Sequence, residues 1–100
     1  MPDSLSLDSS ALAQFCRRWK IAELSLFGSA VRDDFGPESD VDVLVTFATG
    51  ARWSLLDLVA MKEELSAIAR RDVDLVEEAA IRNPFRRKRI LGEKRVVYAA

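Results

Sequence analysis

Histidine is missing from this chain, and Cys16 is its only cysteine. These two gaps exclude, within the chain, an intrachain disulfide, a Cys/His zinc site and any catalytic dyad that needs an imidazole. Cys16 itself falls in an apolar helical stripe, where packing in the core is the expected role of a thiol. An excess of one charge is missing too. Fifteen Lys and Arg stand against 16 Asp and Glu for a formal charge of -1, so no global field draws the chain toward nucleic acid or anionic lipid, and any basic function has to be local. No apolar run is long enough to span a bilayer, and residues 1–10 carry Asp3 and Asp8 without the apolar core of a secretory signal. A cytoplasmic location without a membrane partner is expected. Glycine and proline are scarce, at 4 and 3, unlike the composition of a disordered or fibrous chain. A length of 100 residues, 49% of them hydrophobic, predicts one domain over residues 1–100, with no separate unit for recognising a substrate. If such a chain is an enzyme, carboxylates and bound metal must carry the chemistry.

Leu12, Phe15, Cys16 and Trp19 recur at i, i+3, i+4 and i+7, one face of a helix, with Asp8, Ser9 or Ser10 available to cap it. Residues 21–27 read as a strand that Gly28 stops, and residues 33–39, with Gly36 and Pro37, read as a loop. Residues 40–47 alternate. Val41, Val43, Val45 and Phe47 share one face, while Asp40, Asp42, Leu44 and Thr46 share the other. Thr49-Gly50 turns the chain, and Ser54 with Asp57 forms a capping-box signature for a helix to about Arg70, whose predicted buried stripe is Leu55, Leu58, Met61, Leu65 and Ile68. Residues 73–76 read as a strand with Asp72 and Asp74 on one side. Asn83 and Pro84 start a last helix that Gly92 ends, before a short strand at 95–98. The order predicts an α/β fold, a small mixed β-sheet with helices packed on it around a strand-helix-strand unit.

Phosphates bind where backbone can approach closely and free N–H groups point outward, which Gly28-Ser29 between a strand and a helical turn can provide. Asp40 and Asp42 lie on one strand face, roughly 7 Å apart at the backbone. Two carboxylates so placed repel unless a cation sits between them. Leu44 continues their face, so the pair sits beside apolar surface rather than on a fully solvated edge. Oxygen-only ligands suit Mg²⁺, which commonly shares one or two carboxylates with the phosphates of a nucleotide. Asp74 completes the set as a third carboxylate, with Asp72 as its rival.

The pattern Gly28-Ser29, Arg32, Asp34, Ser39-Asp40, Asp42 and Leu44-Val45, followed by Val73-Asp74-Leu75-Val76, Asn83-Pro84-Phe85 and Val96-Val97-Tyr98, resembles the MNT-type minimal nucleotidyltransferases of the DNA polymerase beta superfamily. It covers nearly the whole chain. Asp33 departs from it, standing where the family often has glycine after the arginine. The resemblance implies a polymerase-beta-type nucleotidyltransferase fold with ATP as substrate and Mg²⁺ as cofactor. It assigns Asp40, Asp42 and Asp74 to metal and catalysis, with Asp74 activating the attacking hydroxyl. Gly28, Ser29 and Arg32 go to the nucleotide, Arg32 having a structural salt bridge as its alternative, and Ser39 orients Asp40.

Similar proteins are antitoxins that pair with a HEPN-domain ribonuclease toxin and adenylylate one of its tyrosines. The expectation is therefore a hetero-oligomer with a co-encoded HEPN toxin. A binding-only antitoxin that occludes its toxin, and a small-molecule nucleotidyltransferase, are the alternatives. Near-neutral charge and the lack of a recognition motif argue against direct nucleic-acid binding. Locally, residues 82–95 are basic: Arg82, Arg86, Arg87, Lys88, Arg89, Lys94 and Arg95 stand against Glu93. This segment reads either as a docking patch for a partner or RNA, or as a solvated helix face.

Overall fold

The computed structural model describes residues 7–31 and 40–100, apart from the side chains of Ser29 and Ala30. Helix α1, Ser9–Arg18, begins where the Asp8 carboxylate accepts hydrogen bonds from the backbone N–H groups of Ser10 (2.9 Å) and Ala11 (3.2 Å). Strand β1, Ile21–Phe27, follows, then a 3₁₀ turn, Gly28–Val31. Strand β2, Val41–Phe47, lies antiparallel to β1 with Leu24 opposite Val45.

Helix α2, Leu55–Ala69, opens on the predicted capping box: the Ser54 hydroxyl accepts from Asp57 N–H, and the Asp57 carboxylate accepts from Ser54 N–H. Arg70, at φ 58°, takes the left-handed conformation that closes it. Strand β3, Val73–Glu77, then pairs parallel to β2, the arrangement that needs a crossover such as α2. After a second 3₁₀ turn, Glu78–Ala80, helix α3, Pro84–Glu93, is capped by Asn83. The last strand, β4, Arg95–Ala99, pairs antiparallel with β1. The sheet order is β3-β2-β1-β4, a mixed sheet as expected.

Alternation along the strands sorts two apolar clusters onto opposite faces. Leu24 and Leu26 of β1, Val41, Val43 and Val45 of β2 and Val73 of β3 meet Leu12, Phe15 and Cys16 of α1 and Met61, Leu65 and Ala69 of α2. On the reverse face Phe27 and Leu44 meet Ile81 and Ile90, so α3 and the turn before it are the cover there. A tryptophan pair clips the helical side: Trp19 and Trp53 meet edge to face at 5.1 Å, and Trp53 Nε1–H donates to the Trp19 carbonyl oxygen at 3.0 Å.

Three sequence-based expectations change. Leu55 is 77% exposed, because burial along α2 sets in only at half-buried Leu58 and is complete at Met61, Leu65 and Ala69. Gly92 lies inside α3 rather than ending it; the helix runs on to Glu93, and Lys94 N–H donates to the Ile90 carbonyl at 2.9 Å. Asp40 precedes β2 instead of belonging to it. Among the described residues no helix is long and apolar enough to cross a membrane.

Candidate active site

The sheet edge that matters is where β1 ends and β2 and β3 begin. Parallel pairing sets Asp42 of β2 directly beside Asp74 of β3, and antiparallel pairing sets Asp42 beside Phe27 of β1. Neighbouring strands lie about 4.8 Å apart, so the two aspartates stand next to each other on the face that also carries Leu44. Asp42 is half-buried and Asp74 exposed. Asp72 sits one residue ahead of β3, where its carbonyl oxygen accepts from Val41 N–H at 2.8 Å. Of the two rivals, Asp74 is the one opposite Asp42.

Gly28 follows at the end of β1 with φ +66°, a conformation that disfavours any side chain. A Cβ there would overlap Asp42 Oδ2 and lie 3.1 Å from its Cγ. Glycine thus does two things: it turns the chain out of the strand, and it leaves the room that the Asp42 carboxylate occupies. The Gly28 N–H donates to Glu93 Oε2 at 2.7 Å, a tie between the glycine turn and the end of α3.

Phe27, Gly28, Asp42 and Asp74 line a cleft of about 300 Å³ together with Arg86, Arg89, Ile90 and Glu93. Its floor is apolar, from Phe27 and Ile90, and its walls carry both signs of charge. Asp40 is exposed and does not line it. Arg32, Ser39 and the loop 33–39 lie outside the described residues, as does the Ser29 side chain.

As a cation site the two aspartates supply only oxygen donors, which suits a hard ion. Among the described residues no three Cys, Asp or Glu side chains converge to hold a metal. A pair of carboxylates matches an ion such as Mg²⁺, which keeps water and takes phosphate oxygens for the rest of its shell. Arginines beside such a pair suit an anion, and the arrangement as a whole can hold a polyphosphate bridged to a divalent cation. Sequence reasoning saw only a basic segment in α3. The available signal was the spacing of Arg86, Arg89 and Glu93 at i, i+3 and i+7, one stripe of a helix beside Ile90.

A sequence-family profile described as nucleotidyltransferase domain matches residues 9–97. Among curated relatives, MJ0435 of Methanocaldococcus jannaschii, provisionally named a protein adenylyltransferase, is 40% identical over 73 residues, 73% of this chain and 75% of that one. The protein adenylyltransferase MntA of Thermococcus cleftensis is 37% identical over 81 residues, 81% of this chain and 77% of its own length. Among solved structures, a toxin-antitoxin complex with AMP-PNP contains a chain of similar fold, with a TM-score of 0.74, 19% identity, and coverage of 94% of this chain and 75% of that one. Another is the complex of a tri-AMPylated Shewanella oneidensis HEPN toxin with its MNT antitoxin, with a TM-score of 0.65, 17% identity, and coverage of 92% and 70%.

Proposed function

The chain belongs to the nucleotidyltransferase domain family, and on that premise we propose that it transfers AMP from ATP to a tyrosine of a HEPN-type ribonuclease toxin, acting in the cytoplasm as the antitoxin of the pair. The observation that carries this reading is the register that sets Asp42 beside Asp74, with Gly28 leaving space for the Asp42 carboxylate in the same cleft. The names of the relatives support the protein acceptor, and the AMPylated toxin of the MNT complex supports its kind.

In this reading Ser29 and Arg32 would hold the triphosphate, and Gly28, whose N–H is already taken by Glu93, shapes the turn beside them. Asp42 and Asp74 would hold Mg²⁺ from within the cleft, with Asp40, oriented by Ser39, joining them when ion and nucleotide bind. Mg²⁺, when bound, neutralises phosphate charge and lowers the pKa of an attacking hydroxyl. Asp74 accepts the phenolic proton as the tyrosine oxygen attacks the α-phosphorus. A bond forms between that oxygen and phosphorus, the bond from the α-phosphorus to the bridging oxygen breaks, and pyrophosphate departs with the electron pair.

Incubation with the co-encoded toxin, ATP and Mg²⁺ should raise the toxin's mass by one or more AMP units. Neither Asp42→Asn nor Asp74→Asn should support the gain, whereas Asp72→Asn should. Toxin neutralised equally well by Asp42→Asn with no change in mass would replace the enzyme with an antitoxin that works by binding alone.

A further inference from the structure

We infer that Arg86 and Arg89 form the phosphate-binding jaw of the cleft, gripping the phosphates of a nucleoside triphosphate that lie beyond the one attacked. The inference deepens the nucleotidyl-transfer reading and rests on it. The basic segment of α3 does not behave as one patch. Arg87 is committed to Glu78, donating to its carbonyl oxygen at 3.0 Å and pairing with its carboxylate at 3.6 Å. Lys94 is committed to Glu23. Arg82 and Lys88 are exposed and do not line the cleft. Arg86 and Arg89 alone among these cations do.

Their placement is held from three sides. Ile90, adjacent to Arg89, is 1% exposed against Phe27, Leu44 and Ile81, so the rotation of α3 is set by packing. Glu93, on the same stripe, takes the Gly28 N–H and ties α3 to the glycine turn. The ion pair of Lys94 with Glu23 ties the end of the helix to β1. A helix so anchored fixes the backbone of its Arg86-Arg89 stripe beside the cleft, so that only the two exposed side chains are left to be ordered on binding.

Chemistry then selects the ligand. Asp42 and Asp74 make one wall anionic, so a bare anion is repelled there, and a phosphate reaches that wall only by sharing a cation. Guanidinium groups bind phosphate oxygens directly and in pairs, without an intervening ion. A cleft with the Asp42-Asp74 pair on the strand side, and Arg86 and Arg89 on the α3 side beside a Glu93 carboxylate that takes the Gly28 N–H, therefore fits a chain of phosphates better than a single one. The arginines act where charge collects on the departing pyrophosphate.

The test is calorimetry on the full chain in Mg²⁺, with AMP-PNP and AMP as ligands and melting curves as the check on folding. Wild type should bind AMP-PNP more tightly than AMP. Arg86→Gln with Arg89→Gln should weaken AMP-PNP about 10- to 100-fold and leave AMP unchanged. The corresponding lysine pair should recover part of the loss. Arg82→Gln with Lys88→Gln removes the same charge from the same helix region and should change neither ligand. Wild-type affinity for AMP-PNP in the Arg86/Arg89 double variant overturns the inference, and if that variant also fails to hold the toxin, the two arginines belong to a protein interface. Wild type that binds no AMP-PNP at all removes the nucleotidyl-transfer reading itself.

Discussion

On its α1/α2 side the sheet presents Val41, Val43 and Val45 with Leu24 and Leu26, and Phe15, Cys16 and Met61 close over them with no exposure at all. On the other side Phe27 and Leu44 are covered by Ile81 and Ile90, and the same strands carry Asp42 and Asp74 into an open cleft. A single alternating strand, β2, serves both surfaces. Each fully buried aliphatic or aromatic side chain on the first side contributes about 1.5–3 kcal/mol, so that side supplies most of the stability. The second side gives up apolar cover to keep charges accessible. Stability and chemistry are thus separated by the thickness of one sheet, and substitutions on the two sides should fail in different ways.

The largest effect is expected from Phe15→Ala, on the buried face of α1. Removing an aromatic ring from a closed core costs about 3–5 kcal/mol, against a total stability on the order of 5–15 kcal/mol. Chemical denaturation should show the midpoint collapse, with transfer activity lost only to the extent that the fold is lost. Activity lost in a variant that melts like wild type would break the separation of the two faces.

Gly28→Ala probes the other side. The left-handed backbone costs about 1–2 kcal/mol with a Cβ present, and that Cβ displaces the Asp42 carboxylate. Melting should fall modestly, by roughly 4–8 °C per kcal/mol for a domain of this size, while transfer and metal-dependent ATP binding fall far more. A variant that melts lower but transfers normally would show that the Asp42 carboxylate does not need its present position.

At neutral pH the smallest effect belongs to Cys16. Burial pushes its thiol up to about 12 from an ordinary 9.0. An acid whose native pKa lies above its unfolded one gives up its proton first in the unfolded chain. The native state therefore loses stability as pH climbs from about 9 toward 12, by at most ~1.4 kcal/mol per pH unit, with no contribution below that window. Denaturation of wild type and Cys16→Ala between pH 8 and pH 11 should give a steeper decline for wild type. Parallel declines would place the thiol in contact with water.

Much of this arrangement was legible in local pattern. The stripe of α1, the Ser54-Asp57 capping box and the Asn83-Pro84 start are statements about neighbours within a turn, and side-chain alternation alone put Asp42 and Leu44 on one face and Val43 and Val45 on the other. Backbone geometry enforces these relations at short range, whatever the rest of the chain does. Other features depend on what lies across a gap. A stripe assigns Leu55 to a face without saying how far a neighbour extends along the helix, and the first turn of α2 stays exposed. Between Asp72 and Asp74, the parallel register of β2 and β3 selected the partner of Asp42. The meeting of Glu93 with Gly28, 65 residues apart in sequence, and the turning of Arg86 and Arg89 into the cleft follow from how α3 seats Ile90 on the sheet. Periodicity orders residues along one element; only packing between elements decides which charges share a cavity.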